Sequence, residues 1–263
     1  MKKITIAAIF FSAMSLWLAW SFLRLILPYF SSFVDWKIDK LGQWGDSFGA
    51  LNTLFSGFGF SAVLITLILQ QNQNKISRDE QHKQRFDASY FQLLTFLRES
   101  REEVNFRFSD QYKAKSRNFN NLTQTGHSAF KAAWDESSYW LERKLESEWS
   151  KEYAGQIYYA HVHKHYENNF GPYFRLIYTI LSKIKNDSVL SIDDKIFYSN
   201  LLRSQLTSYE LALIGLNALT PVSKDFQDLI TEFRMLKYLP EHSRRKRILL
   251  KFFDMRAFQG RDE

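Results

Sequence analysis

Two long apolar runs without a charge dominate the start of the chain, and beyond them apolar and polar positions alternate at helical spacing. The first run covers residues 4–23 (ITIAAIFFSAMSLWLAWSFL). The second lies within residues 47–74, with the apolar part SFGALNTLFSGFGFSAVLITLIL. Each is long enough for the roughly 20 residues that cross a bilayer's hydrocarbon. The pattern predicts an all-α protein: an N-terminal two-helix transmembrane hairpin over residues 1–74, with spans at about 4–27 and 47–70, followed by a helical cytoplasmic domain over residues 75–263. Lys2 and Lys3 before the first run also suit a signal peptide. The run is too long for one, no small-x-small site follows it before Arg24, and a secreted domain has no use for a second span.

Beyond the second run, residues 70–100 contain no Gly or Pro. Phe86, Tyr90, Leu94, Leu97 and Arg101 recur every three or four positions, with Val104 and Phe108 further on. The second span is therefore expected to continue as one long helix. Residues 118–125 read as a loop, and Gly126 and His127 open a helix through Trp149. A further helix runs to Asn168, after which Gly171 and Pro172 start a new one, proline being favourable in a first turn. Ser191 caps a long helix through Leu219 that Pro221 stops. Helices over 225–239 and 242–258 complete the pattern, and no strand is expected.

Charge sets an orientation. Lys2 and Lys3 precede the first run and Lys75, Arg78, Lys83 and Arg85 follow the second. The loop between carries Asp35, Lys37, Asp39, Lys40 and Asp46. Basic flanks stay inside, so both termini are expected in the cytoplasm, with the chain a two-span protein of the cell inner membrane. Trp17, Trp20, Tyr29, Trp36 and Trp44 suit the outer interface. Net charge is +7, of which residues 1–74 hold five Lys/Arg against three Asp. The remaining surplus is mild and mixed in sign, which fits anionic lipid or nucleic acid nearby without requiring either.

Small residues crowd the second run: Gly49, Ser56, Gly57, Gly59 and Ser61. They let helix backbones approach closely in lipid, either against the first span or in a homo-oligomer. Asn52, Thr53 and Ser56, with Thr66 and Gln70 beyond, form a thin polar stripe of the kind a pore needs. Asn52, Ser56, Gly57 and Gly59 are thus the candidate packing or pore residues.

Catalytic chemistry has little support. There is no cysteine, which excludes disulfides and thiolate sites, and no Walker lysine loop, GxGxxG or GxSxG elbow. No cofactor or resident metal is expected. His161 and His165, four apart in HVHKH, share a helix face as zinc ligands can, but the HExxH glutamate is missing, and surface histidines are the plainer reading. His127 and Ser128 are neighbours and do not face one another on a helix. Arg244, Arg245, Lys246 and Arg247 form the densest basic patch, suited to lipid or nucleic acid phosphate or to a solvated helix face. Arg203, Glu210 and Asn217 are seven apart, so on one long helix they share a face. Leucines surround them, which suggests a buried polar network with a partner such as Arg175.

Several of these segments together resemble the phage abortive infection family of two-span proteins. The resemblance rests on WGDSFGALNTLFSG at 44–57, Gly126 to Phe130 (GHSAF), Tyr173 to Tyr178 (YFRLIY), and Arg203, Gln205, Leu206, Thr207, Glu210 and Asn217. It runs from about residue 40 to residue 240. Related two-span proteins act as effectors of retron-type anti-phage systems. The resemblance therefore implies a membrane toxin held inactive until infection, with no known catalytic residue. Implied partners are the lipid bilayer, further copies of the chain, and a retron reverse transcriptase with its RNA–DNA product or another phage-sensing partner. A membrane-tethered nuclease or hydrolase, or a membrane adaptor of a defence complex, remain the alternatives.

Overall fold

A computed structural model describes residues 38–117 and 121–260, together with Ser15 and Ala19. The expected first span at 4–27 and most of the loop after it lie outside the described residues, those two positions apart. The chain divides into two compact units, Met1–Lys75 and Ile76–Glu263. Helix α1, Ile38–Glu103, belongs to both, so the long helix expected from the absence of breakers is present.

In the first unit, the apolar side chains of α1 are exposed on every face. Phe55, Phe58, Phe60, Val63, Leu64, Ile65, Leu67, Ile68 and Leu69 are all between 43% and 67% exposed. Thr53 and Thr66 donate to the carbonyls of Gly49 and Ala62 one turn back, so their hydroxyls are satisfied within the helix. A Cβ on Gly49, Gly57 or Gly59 would meet nothing within 4 Å, so the described residues do not show these glycines packed against the same chain. No helix among the described residues is long and apolar enough to cross a membrane. The side chains are described without interruption from Phe55, and residues 55–69 rise about 22 Å, less than the ~30 Å of hydrocarbon.

The second unit is a helical body, and the mostly helical class read from the sequence holds. Phe86, Tyr90, Leu94 and Leu97 of α1 are buried in its core, at the spacing that the sequence shows. The chain then forms α2 (Asp110–Ser116), α3 (His127–Leu141), α4 (Lys151–Tyr158), α5 (Lys164–Asn186), α6 (Ile192–Ser204), α7 (Ser208–Ala218), α8 (Lys224–Glu232) and α9 (Arg244–Leu249). The largest fully buried side chains, Trp134, Tyr90, Tyr158, Tyr173, Phe106 and Phe130, come from five separate segments and fill one core.

Five expectations need correction. A short antiparallel ladder exists: β1 (Asn105–Phe106) pairs with β2 (Gln124–Thr125), Asn105 opposite Thr125. Two residues a side leave no period to read in the sequence. The helix from His127 ends at Leu141, not Trp149, and the last helix is only Arg244–Leu249 followed by turns. Gly171 and Pro172 do not open a helix; Pro172 sits inside α5. The irregularity comes earlier, as a π-turn over Tyr159–His163 and non-helical angles at Tyr166. Tyr166 is held there from outside the helix. Its hydroxyl donates to the Arg107 carbonyl at 2.7 Å, and its ring lies 4.7 Å from that of Phe106. Finally, the helix expected over 191–219 is two helices, broken at residues 205–207.

Candidate functional site

The break between α6 and α7 is made by side chains that take over backbone groups. Thr207 caps α7: its hydroxyl accepts from the Glu210 amide, and the Glu210 carboxylate accepts from the Thr207 amide at 2.6 Å. This reciprocal capping box satisfies two amides that a helix start leaves without partners. One residue pair earlier, the Gln205 carbonyl accepts from Arg101 at 2.6 Å. Thr207 and Arg101 thus engage groups on either side of the break.

Glu210 is fully buried, and distant segments converge on it. From α1, Arg101 Nε donates to Glu210 Oε1 at 2.5 Å; from α5, the Tyr173 hydroxyl donates to the same oxygen at 2.6 Å. At the start of α3, His127 Nδ1 stands 3.8 Å from Glu210 Oε2, its ring half exposed. Phe130 of α3 packs its ring 4.8 Å from Tyr173. Arg98 reaches the Gln205 side chain at 2.7 Å. A buried carboxylate is tolerable only when paired and hydrogen-bonded, and here both oxygens are engaged.

Electrostatics hold the phenol and the guanidinium of this cluster in one charge state each. Burial pushes the Tyr173 pKa up, and the Glu210 carboxylate beside it pushes further in the same direction, so the phenol stays protonated and donating. The Arg101 pKa is raised despite its burial, with the Tyr173–Glu210 pair beside it, and the guanidinium stays charged. The result is a fixed joint tying α1, α3, α5 and α7 together, with His127 as its solvent-facing member.

The structure scatters the polar network expected from the seven-residue spacing. Because α6 and α7 are separate, Arg203 does not face Glu210. It donates to the carbonyl of Arg234 at 2.6 Å, pairs with Asn200, and lies over the Tyr238 ring. Arg175 is exposed and donates to Glu167 at 2.9 Å, so it is not the partner of Glu210 either. Asn217 lines, with Arg175, a separate groove. Gln205 contributes its side chain to Arg98 and its carbonyl to Arg101, both of α1. Arg101, the true partner of Glu210, had a legible signal: a charge in register with Phe86, Tyr90, Leu94 and Leu97 faces the core.

The other candidates also find places. Arg244 and Arg247 both pair with Glu142, Lys246 pairs with Glu241, and Arg245 stacks over Tyr209. The basic patch is therefore largely engaged within the fold. His161 stacks on Trp140 and His163 on Tyr159, and among the described residues no group could hold a metal ion. His161 lies 3.9 Å from the buried Glu136, but burial, followed by His165, lowers its pKa, so the imidazole is mainly uncharged at pH 7. Glu136, which the pattern did not single out, accepts from the amide and hydroxyl of Ser109, the cap of α2. Asn52, Ser56, Gly57 and Gly59 lie on the exposed stretch of α1.

The family model described as "Putative phage abortive infection protein" matches residues 165–243. This stretch runs from α5 to the turn before α9, and it contains Tyr173, Thr207 and Glu210. No curated protein and no solved structure matches the chain.

Proposed function

We propose that this chain, which carries the sequence of the phage abortive infection family over residues 165–243, is a non-enzymatic effector that disrupts the inner membrane when infection triggers it. The family match supports a role in phage defence. The membrane reading rests on one observation: the large apolar side chains between Phe55 and Leu69 are exposed around the whole circumference of α1. No charge interrupts the sequence from residue 47 to residue 74. A contiguous apolar surface of that extent marks a membrane or protein contact, and the lack of charge favours lipid. In this proposal residues 47–70 act with residues 4–27 as a two-span hairpin, further copies of the chain assemble around it, and the helical unit is released by a phage-sensing partner.

Induction of the protein with parallel readings of membrane potential and nucleic acid integrity tests this. Depolarisation before any loss of nucleic acid is the expected result. Degradation of nucleic acid in cells that remain polarised would overturn the proposal in favour of a tethered nuclease.

A further inference from the structure

A groove of about 560 Å³ opens between α5, from Glu167 to Tyr178, and the segment joining α7 to α8. Ligand sites commonly fall in this size range. Its walls include Phe174, Tyr178 and Phe226, with Tyr178 and Phe226 meeting edge to face at 5.8 Å. Asn217 also lines it. That residue is 6% exposed, and among the described residues its side chain makes one hydrogen bond, a long one from Nδ2 to Ser223 Oγ at 3.4 Å. The carboxamide oxygen is left to accept a proton donor.

Above this stands Arg175. Its guanidinium is two-thirds exposed and makes a single bond, to Glu167 at 2.9 Å. Gly171 lies between the two on α5, and a Cβ there would come within 3.0 Å of the Glu167 carboxylate and 3.2 Å of the Arg175 guanidinium. The glycine leaves room for an arginine held by one exchangeable carboxylate. A guanidinium accepts a second carboxylate in a planar two-point fit.

We propose that this groove binds a peptide C-terminus. The terminal carboxylate takes Arg175 in place of Glu167, the N–H of the last residues donates to Asn217 Oδ1, and an apolar terminal side chain rests on Phe174, Tyr178 and Phe226. The lining holds one arginine, with His163, against two acids, Glu167 and Asp225, so a single carboxylate that displaces Glu167 brings less added negative charge than a phosphate group would. A nucleotide is therefore the disfavoured occupant. Capture of a terminal carboxylate is an established mode of peptide recognition. The proposal stands apart from the membrane reading, because binding is measured without reference to toxicity.

The test uses the full chain in detergent micelles and a library of N-acetyl tetrapeptides with free carboxylates, each paired with its C-terminal amide. Adenosine monophosphate serves as a further probe, and affinities are read by calorimetry. Peptides with an apolar last residue are expected to bind, with amidation weakening them about tenfold or more, the scale of a lost charge-assisted pair. Arg175→Gln, at an exposed position that leaves the fold intact, is expected to weaken binding to a similar degree. Glu167→Gln removes the competing carboxylate and is expected to tighten it several-fold, an effect that a purely structural pair would not give. Absence of binding across the library, equal affinity for acids and amides, Arg175→Gln binding as the parent does, or preference for adenosine monophosphate would each overturn the proposal.

Discussion

At the scale of single residues, the buried pair of Arg101 and Glu210 decides most. Glu210→Ala leaves Arg101 buried without its carboxylate, and breaking such a pair costs roughly 3–5 kcal/mol. For a unit of this size that corresponds to a fall in Tm on the order of 10 °C. Thermal unfolding of the variant against the parent checks this, and an unchanged Tm would remove the pair from the list of structural joints. Gly126 tests backbone strain instead. Its φ of 54° with ψ of −134° suits glycine alone, and an added Cβ would sit 3.0 Å from the Glu102 carboxylate. Gly126→Ala is expected to cost about 1–3 kcal/mol, measured as a shift in denaturation midpoint with unchanged slope.

At the scale of elements, caps and cross-element pairs place α6 against α1. Ser191 and Asp194 form the capping box of α6, and Lys83 of α1 donates to Asp194 at 2.7 Å. The bond from Lys83, then those from Ser191, hold the Asp194 carboxyl down at about 2. A depressed carboxylate stabilises the fold fully above its ordinary pKa of about 3.9 and loses that contribution as pH falls through the folded value. The Lys83 pKa is raised by the same pair, so the contribution also fades as pH climbs through the raised lysine value. Asp194→Asn is therefore expected to melt below the parent at pH 7 and to converge on it near pH 2, which a pH series of melting curves reads directly. A gap that persists at pH 2 would assign the effect to the cap rather than to the charge. Ser191 and its cap were legible because they involve residues three apart. The Lys83 contact was not, since nothing local in the sequence brings residue 83 to residue 194.

At the scale of the whole molecule, the predictions concern the membrane. Gly57→Leu or Gly59→Leu is expected to abolish toxicity while the Ile76–Glu263 unit melts as in the parent, because a large side chain prevents helices from approaching closely in lipid. Growth after induction and a melting curve of the same protein distinguish loss of assembly from loss of folding. Two fully toxic variants would show that this face plays no part. A reporter fused after Glu263 is expected to read cytoplasmic and one within residues 31–40 external, following the basic flanks. A periplasmic C-terminus would overturn the orientation.

The sequence by itself determined what depends on near neighbours: the helical class, the buried register of Phe86, Tyr90, Leu94 and Leu97, the unbroken run of α1, and the cap at Ser191. Helix periodicity and capping are set within a few residues, so they can be read along the chain. The tertiary structure alone decided the rest. Arg203, Glu210 and Asn217 share a face only if one helix carries all three, and the Arg101 side chain, 109 positions from Glu210, helps to hold the break that separates them. Pro172 stays inside α5, while Tyr166, anchored to the backbone of Arg107, marks the place where the helix departs from regularity. A buried charge must find its partner wherever the fold brings one, and spacing along a single element cannot name it.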